Sequence, residues 1–167
     1  MTNDVVELIL ADHRKFEELA RGLRDIDADR SALRAEMAAL LIAHAEAEEH
    51  EVYPKLASRN ATEDDEVEHG EEEHAEINKA LLEFMEIEDL KGEDYDEALE
   101  GLVEVLNHHL NEEEQSVLND ARRNLDANTR ERLGVAFTTA RKVQLDTNCG
   151  RIENVRLIVE KTRDRID

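Results

Sequence analysis

The stretch His44-Ala45-Glu46-Ala47-Glu48-Glu49-His50-Glu51-Val52-Tyr53-Pro54 decides how this chain folds. It closes a long apolar-periodic segment in which Leu41, His44, Glu48 and Val52 recur at helical spacing, so an imidazole and a carboxylate face the same way as core aliphatics. A second stretch repeats the arrangement, with Leu106, His109, Glu113 and Val117 in the corresponding places. Two helices therefore each aim a His and a Glu at the interior.

Working outward, two more segments supply inward histidines. Val6, Ile9, His13, Phe16, Ala20 and Leu23 form one helical stripe, and His74, Ile77, Leu81 and Phe84 form another. The four histidines are spaced by 31, 30 and 35 positions, each one helix plus a short connection. Antiparallel helices of that length bring one His apiece to a common level. The spacing thus predicts an all-α, up-down-up-down four-helix bundle over residues 1–118. Residues 119–167 are expected to add two C-terminal helices that pack on the bundle or form a homodimer surface.

Finer expectations attach to particular residues. Helix 1 should be capped at Thr2 or Asn3. Pro54 should end helix 2 or let it continue past a kink. Helix 3 should run to near Gly92, and Asn119 to Asn128 should be a polar turn region. Tyr53, beside Pro54, is placed to hydrogen-bond near the site.

Composition narrows the function. The 167 residues hold 43 acidic and 21 basic side chains, a formal charge of -22, with one Pro and six Gly. Such a chain repels phosphate backbones and anionic lipid surfaces, so neither nucleic acid nor membrane is an expected partner. The lone Cys149 excludes an internal disulfide, and the N-terminal residues lack a basic n-region followed by an apolar run. A soluble, cytoplasmic setting is expected.

Burying an unpaired polar group costs roughly 1–3 kcal/mol, and a carboxylate more. Four inward histidines and two inward glutamates therefore call for a compensating cation. Imidazole with carboxylate suits iron, manganese or zinc, and six side chains suit two ions better than one. His followed four positions later by Glu also occurs at His13 and Glu17, His69 and Glu73, and His108 and Glu112, so face and register decide which pairs matter. By that measure His50 and His108 are exposed, and His69 is a further ligand only if it turns inward.

Taken in order, His13, His44-x-x-x-Glu48 with Val-Tyr-Pro following, Glu-His74-Ala-Glu-Ile and His109-x-x-x-Glu113 resemble the haemerythrin-like (HHE cation-binding) domain over about residues 4 to 118. The resemblance implies a non-haem centre of two iron ions, with His13, His44, His74 and His109 as terminal ligands and Glu48 and Glu113 bridging. It also implies a small ligand: dioxygen, peroxide or nitric oxide. Two positions depart from the oxygen carriers of that family. Gly70 stands where they have a further histidine, four before His74, and Glu113 stands where they have an aspartate. One histidine fewer leaves an exchangeable position, so decomposition of hydrogen peroxide is the leading expectation, with iron, oxygen or nitric oxide sensing as the alternative. A ferritin-like arrangement needs Glu-x-x-His on two helices, whereas Glu66 with His69 and Glu71 with His74 share one.

Overall fold

A computed structural model describes residues 2–166. The described residues form helices α1 (Val5–Arg24), α2 (Arg30–Ala47), α3 (Tyr53–Ser58), α4 (Asp64–Met85), α5 (Glu93–Gln115), α6 (Val117–Asn124), α7 (Ala127–Asp146) and α8 (Ile152–Ile166). A five-residue π turn, Glu48–Val52, joins α2 to α3 without a break. None of these helices is long and apolar enough to cross a membrane.

Local chemistry sets the boundaries. Asp4, Asp29 and Asp126 cap α1, α2 and α7 by accepting from Val6 N, Ala32 N and Thr129 N at 2.9, 3.1 and 2.7 Å. Helix α1 therefore starts at an Asp4 cap rather than at Thr2 or Asn3. Helix α4 stops at Met85, short of Gly92, and Arg34 donates to the Phe84 and Ile87 carbonyls at its end. The stretch expected to be a turn after Leu118 is largely helical. Ser116, at φ −109° and ψ −79°, bends the chain, and α6 continues with Val117, Leu118 and Ala121 buried.

The π turn answers the Pro54 question. Proline has no N–H and its ring crowds the carbonyl four residues back. Widening the turn relieves that contact, and Tyr53 N–H bonds Glu48 O, five residues back. Residue 53 consequently lies nearly above residue 48, so Glu48, Val52 and Tyr53 are all buried.

Helices α1, α2, α4 and α5 pack as a ring, with α1 against α2 and α5, and α4 against α2 and α5. The core is in two parts. One apolar cluster includes Leu23, Met37, Ile42, Leu81, Phe84 and Leu102. The other includes Val6, Ile9, Leu56, Val117, Leu118 and Phe137. Between them lies the polar layer that carries the histidines.

The C-terminal helices cover the bundle, α7 along α1 and α2 and α8 along α4. Seating is tight at Gly134, where a Cβ would fall 1.5 Å from the Asn3 carbonyl oxygen. Gly134→Ala is accordingly expected to destabilise the protein by about 1–3 kcal/mol, read as a lower denaturant midpoint at unchanged slope.

Candidate metal centre

Each helix of the ring contributes one histidine to the polar layer: His13 from α1, His44 from α2, His74 from α4 and His109 from α5. All four are at most 3 % exposed, as are Glu48 and Glu113. The ligand-bearing atoms fall into two groups, Glu48 with His74, His109 and Glu113, and His13 with His44 and Glu113; within each group they lie inside 4.8 Å of one another. Glu113 belongs to both. Glu48 also reaches both halves, its Oε1 lying 2.5 Å from His44 Nε2 and 3.7 Å from His74 Nε2. All six residues read from the sequence thus converge on one small volume.

The outer nitrogen of each ring faces a carboxylate. His44 Nδ1 is 2.8 Å from Asp12 Oδ2, His109 Nδ1 is 3.0 Å from Glu73 Oε1, and His13 Nδ1 is 3.0 Å from Glu114 Oε2. His74 Nδ1 is 3.5 Å from Glu49 Oε2, a looser approach. An Nδ1–H that donates outward leaves the Nε2 lone pair pointing inward, the tautomer a metal needs. Two of these carboxylates are backed by arginine. Arg141 of α7 holds Asp12 through two contacts of 2.9 and 2.8 Å, and Arg14 reaches Glu114 at 2.5 Å. Phe137, also on α7, packs nearly perpendicular to the His44 ring at 5.6 Å between ring centres.

Tyr53 completes the wall. Its ring stacks on His74 at 5.7 Å with an 8° tilt, and its hydroxyl donates to Glu113 Oε2. Gly70 makes this possible: a Cβ there would sit 2.9 Å from the Tyr53 hydroxyl oxygen and 3.2 Å from the ring. The phenol fills the space beside the position where oxygen carriers place another histidine. His69 does not take that role, for it is exposed and pairs with Glu112. His50 is exposed as expected and pairs with Glu46.

The inner atoms are short of partners. His13 Nε2, His44 Nε2, His74 Nε2, His109 Nε2, both Glu48 oxygens and Glu113 Oε1 are buried without a hydrogen bond. Close approaches such as His44 Nε2 to Glu48 Oε1 are off the line of one, so these atoms point at a shared centre more than at each other. Buried polar atoms otherwise find partners almost without exception. Opposite ligands on a cation with ~2.1 Å bonds lie ~4.2 Å apart, so only slight inward movement closes either group around an ion. Imidazole nitrogen with carboxylate oxygen is a donor set for iron, manganese or zinc. The residues fit a metal.

Charge balance follows from the same distances. Burial disfavours a protonated His44, but the Glu48 and Asp12 carboxylates outweigh it and lift its pKa from 6.5 to about 10. Burial likewise opposes the His74 cation, and Glu48 and Glu49 raise it to about 10. Glu48, although burial pushes it up, is held well below the ordinary carboxylate value by His44 and His74. Burial and the Glu113 and Glu48 charges push the Tyr53 phenol well above 10.

Asp12, Glu49 and Glu114 were not singled out in the sequence, and Glu73 stood out only as the residue four after His69. Each neighbours, in sequence or on the next turn, a residue of the inner set, and nothing else in an acid-rich chain marks it. The sequence model of the hemerythrin HHE cation binding domain matches residues 4–121. No curated protein and no solved structure gave a significant match.

Without a bound cation, the raised folded-state values of His44 and His74 contribute stability that is complete below pH 6.5 and is lost as pH rises through about 10. Chelator-treated protein should therefore show a falling Tm between pH 7 and 10, with Asp12→Asn flattening the slope. A Tm that rises across this window in thermal melts would contradict the charge assignment.

Proposed function

This chain belongs to the hemerythrin HHE cation-binding family, and from that premise we propose that it holds two iron ions and binds dioxygen or peroxide, with hydrogen peroxide decomposition as its activity. The observation that carries the reading is the set of inward, partnerless donor atoms shared out between two groups that have Glu113 in common. His13 and His44 would hold one ion and His74 and His109 the other. Glu113 and Glu48 would be shared by the two ions, since each approaches histidines of both halves. Iron, when bound, supplies an open coordination position and the redox equivalents that peroxide chemistry needs.

The chain's own residues do the rest. Asp12, Glu73 and Glu114 hold three rings by their outer nitrogens and fix the tautomer that faces inward. The two apolar clusters keep bulk water from the layer above and below. Tyr53 keeps its proton and donates it to Glu113 Oε2 beside His74, which fixes the orientation of that carboxylate and leaves Glu113 Oε1 facing inward. Gly70 leaves room for the phenol but not for a fifth imidazole, which favours peroxide over reversible oxygen carriage.

A sensing role has one observation in its favour. Arg141, Asp12 and His44 form a continuous chain of contacts from α7 to the centre, so occupancy can be felt by the C-terminal helices and, in a cytoplasmic setting, by a partner or a second copy. That reading requires a change of Tm and mass on metal removal with negligible turnover.

Iron-loaded protein is expected to retain two irons per chain after desalting and to consume hydrogen peroxide. Glu48→Ala and Glu113→Ala should each abolish paired binding, whereas His50→Ala keeps both ions. Plasma emission metal analysis with a peroxide electrode checks these outcomes, and a loaded sample inert to peroxide leaves only the sensing role.

A further inference from the structure

Outside the buried layer, a second group of imidazoles and carboxylates meets on the surface between α4 and α5. His69 and Glu73 lie four apart on α4, and His108 and Glu112 lie four apart on α5. His69 Nε2 is 2.6 Å from Glu112 Oε2 and 3.5 Å from Glu73 Oε2. His108 Nε2 is 3.1 Å from Glu112 Oε1 and 3.4 Å from Glu73 Oε2. One ligand atom from each residue falls within 4.8 Å of the other three. On α5 this outer pair is the inner pair, His109 and Glu113, displaced by one residue and so rotated ~100° about the axis.

Glu73 ties the two groups together. Its side chain is only 8 % exposed; Oε1 faces His109 Nδ1 in the interior, and Oε2 faces His69 and His108 outside. The comparable carboxylates Asp12 and Glu114 are each met by an arginine on their outer side. Glu73 has two imidazoles there instead, a pair of nitrogens able to hold a cation in the place the guanidinium takes elsewhere. A small cavity of about 10 Å³ lies between the two groups, with His69, Glu112 and Glu73 on its outer side and His109 and Glu113 on its inner side.

We propose that His69, Glu73, His108 and Glu112 form a second divalent-cation site, open to water and joined to the buried centre through Glu73. Two imidazoles with two carboxylates select a first-row transition cation such as Fe²⁺ or Zn²⁺ over Ca²⁺ or Cu⁺. An ion held there neutralises the outer face of Glu73, and it stands next to the inner donors, so the site captures the cation that the interior receives. This second role rests on the metal-centre reading above; the site itself does not.

The test is Zn²⁺ titration by calorimetry of iron-loaded wild type against the double variant His69→Ala/His108→Ala, whose two changes are exposed and are checked for unchanged helicity. Wild type is expected to take up one Zn²⁺ more per chain than the variant at equal iron content, and the buried centre of the variant should fill with Fe²⁺ several-fold more slowly. Equal Zn²⁺ uptake by the two proteins overturns the site. Loss of the equivalent with an unchanged filling rate overturns its role as the entry. Glu113→Ala, which removes an inner donor, should keep the outer Zn²⁺ equivalent, so failure of the buried centre and failure of the outer site read separately.

Discussion

Everything in this molecule is arranged around the burial of four imidazoles and two carboxylates in a layer between two apolar clusters. Leaving such groups unpaired would cost several times the ~1–3 kcal/mol of a single orphaned polar atom, a large share of the 5–15 kcal/mol by which a domain is stable. The chain meets this cost from outside inward. Three of the four rings are gripped at Nδ1 by a carboxylate at 2.8–3.0 Å, which orients the ring and stabilises either its protonated or its metal-bound form. The inner nitrogens are then left facing one another and the two glutamates, an arrangement that is satisfied by protons or by cations but not by packing alone.

The less regular features of the fold follow from that layer. A straight α-helix through Pro54 would turn Tyr53 away from Glu48, whereas the five-residue turn brings both to one face and seats the phenol against Glu113. Gly70 is the counterpart on α4, since any side chain there would collide with the ring. Helix α7 is more than a cover. Its Phe137 packs on His44, and its Arg141 neutralises Asp12, a mostly buried carboxylate that would otherwise stand against the ring with half its charge unanswered.

The bundle and its six inward residues were legible because the polar members stand in register with aliphatics: His44 and Glu48 with Leu41 and Val52, His109 and Glu113 with Leu106 and Val117. A polar residue on a buried stripe contradicts the pattern around it, and that contradiction is readable. The outer carboxylates were not legible, because Asp12, Glu73 and Glu114 adjoin His13, His74 and Glu113 at the edge of the stripe, where acidic residues are ordinary in a chain with 43 of them. The π turn was hidden for a different reason: Pro54 signals a disturbance but not its form. Helix α6 was missed because Asn119, Asp120 and Asn124 look like a turn, while three apolar contacts at Val117, Leu118 and Ala121 suffice to hold the helix down.

Helix α5 isolates what decides a metal centre. His108 with Glu112 and His109 with Glu113 have the same residues at the same spacing, one position apart, yet the first pair lies at the surface and the second is at most 3 % exposed. In water, a His and a Glu lose little by staying apart, because solvent satisfies both. In the dry layer the same two groups have few alternatives to a shared cation, and the effective dielectric that makes them costly when unpaired strengthens their hold on an ion. The inner group is therefore expected to hold a cation more tightly than the outer one.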